Sequence, residues 1–292
     1  MSKIIDGHTK LTGLLGSPVA HSISPLMHNY AFELLDLNYV YLCFDVGEDD
    51  LATAFEGLKK LNIAGFNCTM PDKTLMASLV DELSDAASII GAVNTVENRD
   101  GKFIGHNTDG IGYIRSMKEA GHDIKDKKMT LLGAGGAASS ILVQAAIDGA
   151  KEIDVFSIKD GFWNKAEEIT SKLNSSTDCK VNLIEMGNDS QLADSISTSD
   201  ILTNATPVGM APKGGCLIKD PKMLRPELIV SDIIYNPFET ELYKMAKDIG
   251  CPVFNGLYML LYQGSAAFKI WTGKDMPDDL VKAKYFDSQI SK

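Results

Sequence analysis

A chain of 292 residues, 45% hydrophobic and 23% charged, is long enough for two domains with sizeable cores. Its formal net charge of −11 argues against nucleic acid as a partner, because phosphate backbones call for a basic surface, yet leaves room for a small anion at a local basic site. The five cysteines are scattered, with no C-x-x-C pair, which fits free thiols in a reducing compartment. No histidine spacing reads as a metal site, the first residues carry no apolar signal segment, and no run reaches the roughly 18 apolar residues of a membrane helix, so the cytoplasm is the expected location.

Strand and helix alternate along almost the whole chain, the pattern of an α/β protein with parallel or mixed sheets covered by helices. "LTGLLG" (11–16) predicts a first strand, and Ser24-Pro25 offers an N-cap and a first-position proline for the helix "LMHNYAFELLD". "YVYLCFDV" (39–46) predicts a second strand, and "EDDLATAFEGLKKL" a helix with acids at its start. "IAGFNCTM" reads as a third strand, followed by a helix from Pro71 to about Leu79. "AVNTVEN" and "KFIGHNTD", joined by "RDG", predict a hairpin, and "DGIGYIRSMKEAG" a helix stopped by Gly121.

After the polar "HDIKDKK" the pattern restarts, which sets the expected boundary near residue 123. "MTLLGAGGAASSILVQAAIDGA" is a strand, a glycine-rich turn and a helix; "EIDVFSI", "KVNLIEM", "DILTNA", "LIVSDII" and "CPVFNG" are further strands. The expected domains are therefore 1–122 and 123–257, with the closing helices, about 258–292, packing back on the first. The long apolar helix "LYMLLYQGSAAFKIWTG" serves either as core or as the interface of a homodimer, and the sequence leaves that open.

Gly133-Ala134-Gly135-Gly136-Ala137-Ala138 fits G-x-G-x-x-A between a buried strand and a helix. The first glycine permits the tight turn and the second a close backbone approach to a pyrophosphate at the helix N-terminus, so the βαβ context predicts dinucleotide binding. Asp160, 25 residues after Gly135, stands near the acid that accepts hydrogen bonds from a ribose diol and repels a 2′-phosphate. Lys159 beside it pulls the other way, as a possible partner for that phosphate.

Polar residues also gather at strand ends of the first half: "HSIS" (21–24), "NCTMPDK" (67–73), "GAVNT" (91–95) and "GHNTDG" (105–110). Singly, Ser24 and Asp109 read as helix caps and Asn94 as a turn residue; jointly they point to a ligand. "HSISPLMHN", "NCTMPDK", "GAVNTV", "GHNTDG", "GAGGAA", "NATPVGM", "DIIYNP" and "YQG", in order over nearly the whole chain, resemble the shikimate dehydrogenase family. "SDILTNATPVGM" and "LLYQGSAAFKIWTGKDMP" look especially like its quinate/shikimate branch.

The resemblance implies two α/β domains, an N-terminal substrate-binding domain and a C-terminal Rossmann domain, with the active site in the cleft. It implies reversible reduction of 3-dehydroshikimate to shikimate by NAD or NADP, without a metal, as a step of aromatic amino-acid synthesis. Carried over by motif, Ser22, Ser24, Asn67, Thr69, Asn94, Tyr235 and Gln263 contact the substrate. Lys73 is then the acid/base and Asp109 its partner. Gly133, Ala134, Gly135, Gly136, Ala137, Ser157, Lys159, Asp160, Pro207, Ile233 and Gly256 face the cofactor.

The NADP-specific branch typically carries "NRT" after the second Rossmann strand; here Ser157-Ile158-Lys159 stand there, and the missing arginine favours NAD, or use of both. The alternatives are a dehydrogenase of another cyclic polyol acid, quinate included, and a non-catalytic nucleotide sensor. A sensor has no need of Lys73 and Asp109.

Overall fold

The computed structural model describes residues 5–287. The chain divides into two compact units: one runs to Thr108 and resumes at Leu261, and the other is Asp109–Leu260.

The first unit opens with β1 (Lys10–Gly16), α1 (Ser24–Leu34), β2 (Tyr39–Asp45), α2 (Glu48–Lys60), β3 (Gly65–Cys68) and α3 (Lys73–Leu79). It continues through β4 (Glu82–Leu83), α4 (Asp85–Ile90), β5 (Thr95–Arg99) and β6 (Lys102–His106). Its six strands lie in the order β2-β1-β3-β5-β6-β4. β1 pairs parallel with β2 and β3, whereas β5 runs antiparallel to β3 and β6, so the sheet is mixed.

The predicted hairpin forms because Asp100 and Gly101 both take positive φ, as a two-residue turn between twisted strands requires. α2 carries three acids in its first turn and two lysines in its last, matching the helix dipole at both ends. One face of the sheet is closed by Phe55, Phe66 and Phe103 with Leu15 and Val96. Phe55 stands edge-on to Phe103, ring centres 5.3 Å apart.

Ser24 is not the N-cap of α1, as its sequence position predicts; it is the first helical residue, and its N–H donates to Ser22 Oγ (3.2 Å). The N-cap position is Ile23, which offers no side-chain cap. β4 and α4 are not foreseen by periodicity either.

The second unit contains α5 (Asp109–Glu119), β7 (Lys128–Leu132), α6 (Gly136–Ile147), β8 (Glu152–Ser157), α7 (Trp163–Ser176), β9 (Lys180–Glu185), α8 (Asp189–Thr198), β10 (Ile201–Asn204), β11 (Ile229–Asp232), α9 (Glu241–Ile249) and β12 (Val253–Asn255). All pairings are parallel, in the order β9-β8-β7-β10-β11-β12, a doubly wound sheet whose order reverses between β7 and β10. At such a reversal the loops leaving neighbouring strands part and open a crevice for ligands. α5 counts with this unit, although the sequence boundary near 123 assigns it to the first; Gly110 lets it approach α6, where a Cβ would overlap the Ser140 carbonyl.

α10 (Leu257–Thr272) and α11 (Asp278–Tyr285) end the described chain. From Leu261 onward they count with the first unit, where Trp271 Nε1 donates to the Val96 carbonyl (3.0 Å) and Gly264 admits Met27. Among the described residues no helix is long and apolar enough to cross a membrane, and no group of three or more His, Cys, Asp or Glu could hold a metal ion.

Candidate active site

In the first unit the loops after β3 and β6 and the segment before β5 are tied together through backbone. Cys68 N–H donates to the Asn94 carbonyl (2.9 Å), Asn94 N–H to His106 (3.0 Å) and Val93 N–H to the Lys73 carbonyl (2.8 Å). Thr69 N–H donates to Leu15 and Asp72 N–H to Thr69, so the "NCTMPDK" turn is held at both ends. Lys73, half-buried, opens α3 from this fixed base.

A polar network runs through the buried side chains beneath. Tyr41 Oη donates to Asn67 Oδ1 (2.8 Å), and burial pushes the pKa of this phenol up. Asn67 Nδ2 donates to the Asn94 carbonyl (3.1 Å) and to Thr95 Oγ1 (3.0 Å). Asn94 Oδ1 accepts from Thr108 N–H (2.8 Å) and from Thr95 Oγ1 (3.0 Å), while its Nδ2 donates to Thr108 Oγ1 (3.0 Å).

Of the residues expected at the substrate, Asn67 and Asn94 thus share one network, and Ser24 is buried in the same unit. Both N–H donors of Asn67 are engaged within it, which leaves Asn67 only acceptor capacity for a ligand. Ser22, Thr69 and Gln263 are half-buried in the same unit. Sequence reasoning missed Tyr41, Thr95 and Thr108. A tyrosine inside "YVYLCFDV" reads as core, and its only signal is the buried hydroxyl that demands a partner.

Asp72 was missed as well. It is wholly buried, and neither carboxylate oxygen has a hydrogen-bond partner. Desolvation, with a contribution from the Glu48 carboxylate, pushes its pKa up to about 6.

In the second unit, Asp109 begins α5 and Gly133-Ala134 lead into α6. Gly133 takes φ +106°, the left-handed region that favours glycine, and its N–H donates to the Phe156 carbonyl (2.8 Å). Gly135 caps α6 without a side-chain hydrogen bond, and nothing stands within 4 Å of a Cβ built at Gly135 or Gly136. An uncapped twelve-residue helix start, open above its glycines with Ala137 in its first turn, fits a dinucleotide pyrophosphate.

Asp232 organises the neighbouring strand ends. Buried, with its pKa raised by desolvation, it accepts from Asn204 Nδ2 (3.1 Å), Ile234 N–H (3.1 Å) and Thr240 Oγ1 (2.7 Å). Asn204 in turn donates to the Val208 carbonyl (3.0 Å), which fixes the loop carrying Pro207. Gly256 is a glycine for packing, since a Cβ there would overlap the Ile233 carbonyl. Tyr235 and Pro207 are exposed.

At the end of β8, Ser157 is buried and Ile158 exposed. Asp160 Oδ1 accepts from Phe162 N–H (2.9 Å). Lys159 Nζ pairs with Glu185 Oε2 (3.0 Å) and lies 5.3 Å from the Trp163 ring centre.

Residues 14–96 match the family model described as the shikimate dehydrogenase substrate binding domain, and residues 256–284 match the shikimate 5'-dehydrogenase C-terminal domain. A shikimate dehydrogenase (NADP(+)) of Listeria monocytogenes serotype 4b is 52% identical over 283 residues, covering 97% of each chain. The solved structure of shikimate 5-dehydrogenase from Listeria monocytogenes in complex with shikimate and NAD is 51% identical, with TM-score 0.95 over 98% of this chain and 99% of that one. Quinate dehydrogenase from Corynebacterium glutamicum in complex with NAD is 28% identical, with TM-score 0.85 over 96% and 99%.

Proposed function

The chain belongs to the shikimate dehydrogenase family, and from that premise we propose that it is an oxidoreductase that reversibly reduces 3-dehydroshikimate to shikimate with NAD(P). The first unit is then the substrate domain and the second the cofactor domain. The observation that carries the reading is the polar network of Tyr41, Asn67, Thr95, Asn94 and Thr108 beside the Lys73 turn, together with the open glycine turn before α6. Five free cysteines accord with a cytoplasmic setting.

The glycine turn before α6 would hold the dinucleotide, which would supply or take up the hydride. Lys73 then gives its ammonium proton to the oxygen left when hydride reaches the ketone carbon, and in the oxidising direction its free amine takes the hydroxyl proton. Asp109 orients that ammonium. Ser22, Ser24 and Tyr235 serve the substrate carboxylate, while Thr69, Asn94 and Gln263 serve the ring hydroxyls, with Asn67 accepting. NAD is the favoured cofactor: Asp160 suits a ribose diol, no arginine stands at Ile158, and Lys159 is already paired.

Initial rates for shikimate and quinate, each with NAD and with NADP, test the assignment. Turnover of shikimate with NAD is expected, falling about a hundred- to ten-thousand-fold in Lys73→Ala, whereas Lys59→Ala, which removes a half-buried lysine paired with Glu56 and lying over Phe55, keeps it. Near-wild-type rates in Lys73→Ala would end the role of that lysine, and a strong NADPH preference that of Asp160.

A further inference from the structure

Glu185 ends β9 and stands opposite Ser157, the last residue of β8, in the parallel ladder. Beyond the ladder, Met186 N–H donates to the Ser157 carbonyl (2.8 Å), so the two strand ends stay joined where the chain turns off. This places a carboxylate at the edge of the loop that carries Lys159 and Asp160. Its Oε2 lies 3.0 Å from Lys159 Nζ, and both side chains are 58% exposed, so solvent and ligands reach the pair. Trp163, 5.3 Å from the same ammonium, flanks it and is itself anchored by donating from Nε1 to Glu167 (2.8 Å).

We propose that Glu185 is a positioning residue for cofactor choice: it holds Lys159 as its counter-ion and so withholds that ammonium from a 2′-phosphate on the adenosine ribose. The inference rests on the dinucleotide reading of this unit and adds to it a residue outside the glycine turn. A 2′-phosphate brings about −1.5 to −2 charges at neutral pH. To meet it, Lys159 must leave Glu185, and the carboxylate is then left facing a second anion. A ribose diol asks for neither. Asp160 therefore acts on the diol directly, while Glu185 acts through Lys159.

The test compares binding of 2′,5′-ADP and 5′-AMP by calorimetry, alongside the ratio of kcat/KM for NADP and NAD. In Glu185→Gln both ratios are expected to move about five-fold toward the phosphorylated ligand, the scale set by an exposed ion pair. Glu185→Asp, which keeps the charge, stays near the wild-type ratio. Adding Lys159→Met to Glu185→Gln cancels the shift, and about 0.5 M salt shrinks it. An unchanged ratio in Glu185→Gln, or a shift that survives Lys159→Met, overturns the inference alone. Wild-type protein that binds neither nucleotide overturns the dinucleotide reading, and this inference with it.

Discussion

His28 lies fully buried with its ring stacked on Tyr41, centres 4.5 Å apart, and neither nitrogen is hydrogen-bonded; burial pushes its pKa down to about 3. Below its ordinary value of 6.5 the unfolded chain takes up a proton that the folded ring refuses. Stability from this group is therefore lost as pH falls, by up to about 1.4 kcal/mol per pH unit. Asp72 does the opposite: with its pKa raised from 3.8 to about 6, the folded chain keeps a proton that the unfolded one releases, and stability is lost as pH rises through that window. Near pH 5 the two slopes oppose each other. Asp72→Asn is expected to steepen the loss of stability on acidification, and to stabilise the protein at about pH 7.5 by on the order of 2 kcal/mol. His28→Phe is expected to turn the trend round. Urea midpoints at three pH values between about 4.5 and 7.5 check this, and parallel profiles for all three proteins would refute it. Lys73, Asn67 and Asn94 stood out in the sequence because polar side chains at strand ends are costly without a purpose. Tyr41 and Asp72 did not, because an aromatic in a strand and an acid before a helix both have ordinary explanations; only the fold reveals that one hydroxyl is networked and one carboxylate is buried.

Between β12 and α10 the chain passes so close to Ile233 that only hydrogen fits on Gly256. Gly256→Ala must push the β12 end off the loop after β11, at about 1–3 kcal/mol, the usual scale of overpacking. A lower urea midpoint is expected, along with weaker nucleotide binding, because Ile233 leads that loop; unchanged values for both would show that the backbone yields freely. Most strands were readable as apolar runs ending in turn residues, and several helices from the acids, proline or glycine at their ends. β4 and α4 were not, since two and six residues are too short to display a period, although Ser84 caps α4 by accepting from Ala87 N–H and Gly91 closes it at φ +66°. Glu185 likewise gave no signal: an acid ending an edge strand is ordinary until the ladder sets it beside Lys159.

At the scale of the molecule, each unit has its own sheet and its own core. NAD added alone is expected to slow amide exchange most strongly in β7, the glycine turn and the end of β8, since ligand binding raises the cost of opening where it binds. Strongest protection in β1 to β6 would contradict the division of labour. The parallel character of the second sheet was foreseeable from strand–helix alternation and the glycine motif, and the "RDG" turn foretold the antiparallel β5–β6 pair, whereas the antiparallel pairing of β5 with β3 depends on contacts that no local pattern carries. That first unit is also assembled from both ends of the described chain: Trp271 ties the closing helix to the sheet, its indole donating to Val96 on β5 and its carbonyl accepting from Tyr39 on the edge strand β2 (3.3 Å). During synthesis the early segment therefore leaves the ribosome without its closing helix, while the continuous stretch 109–260 can complete itself first. Residues 10–108 are thus expected to be completed after 109–260, although they are made before it, and a nascent chain cut before α10 is expected to strand the lysine turn on an unsealed sheet.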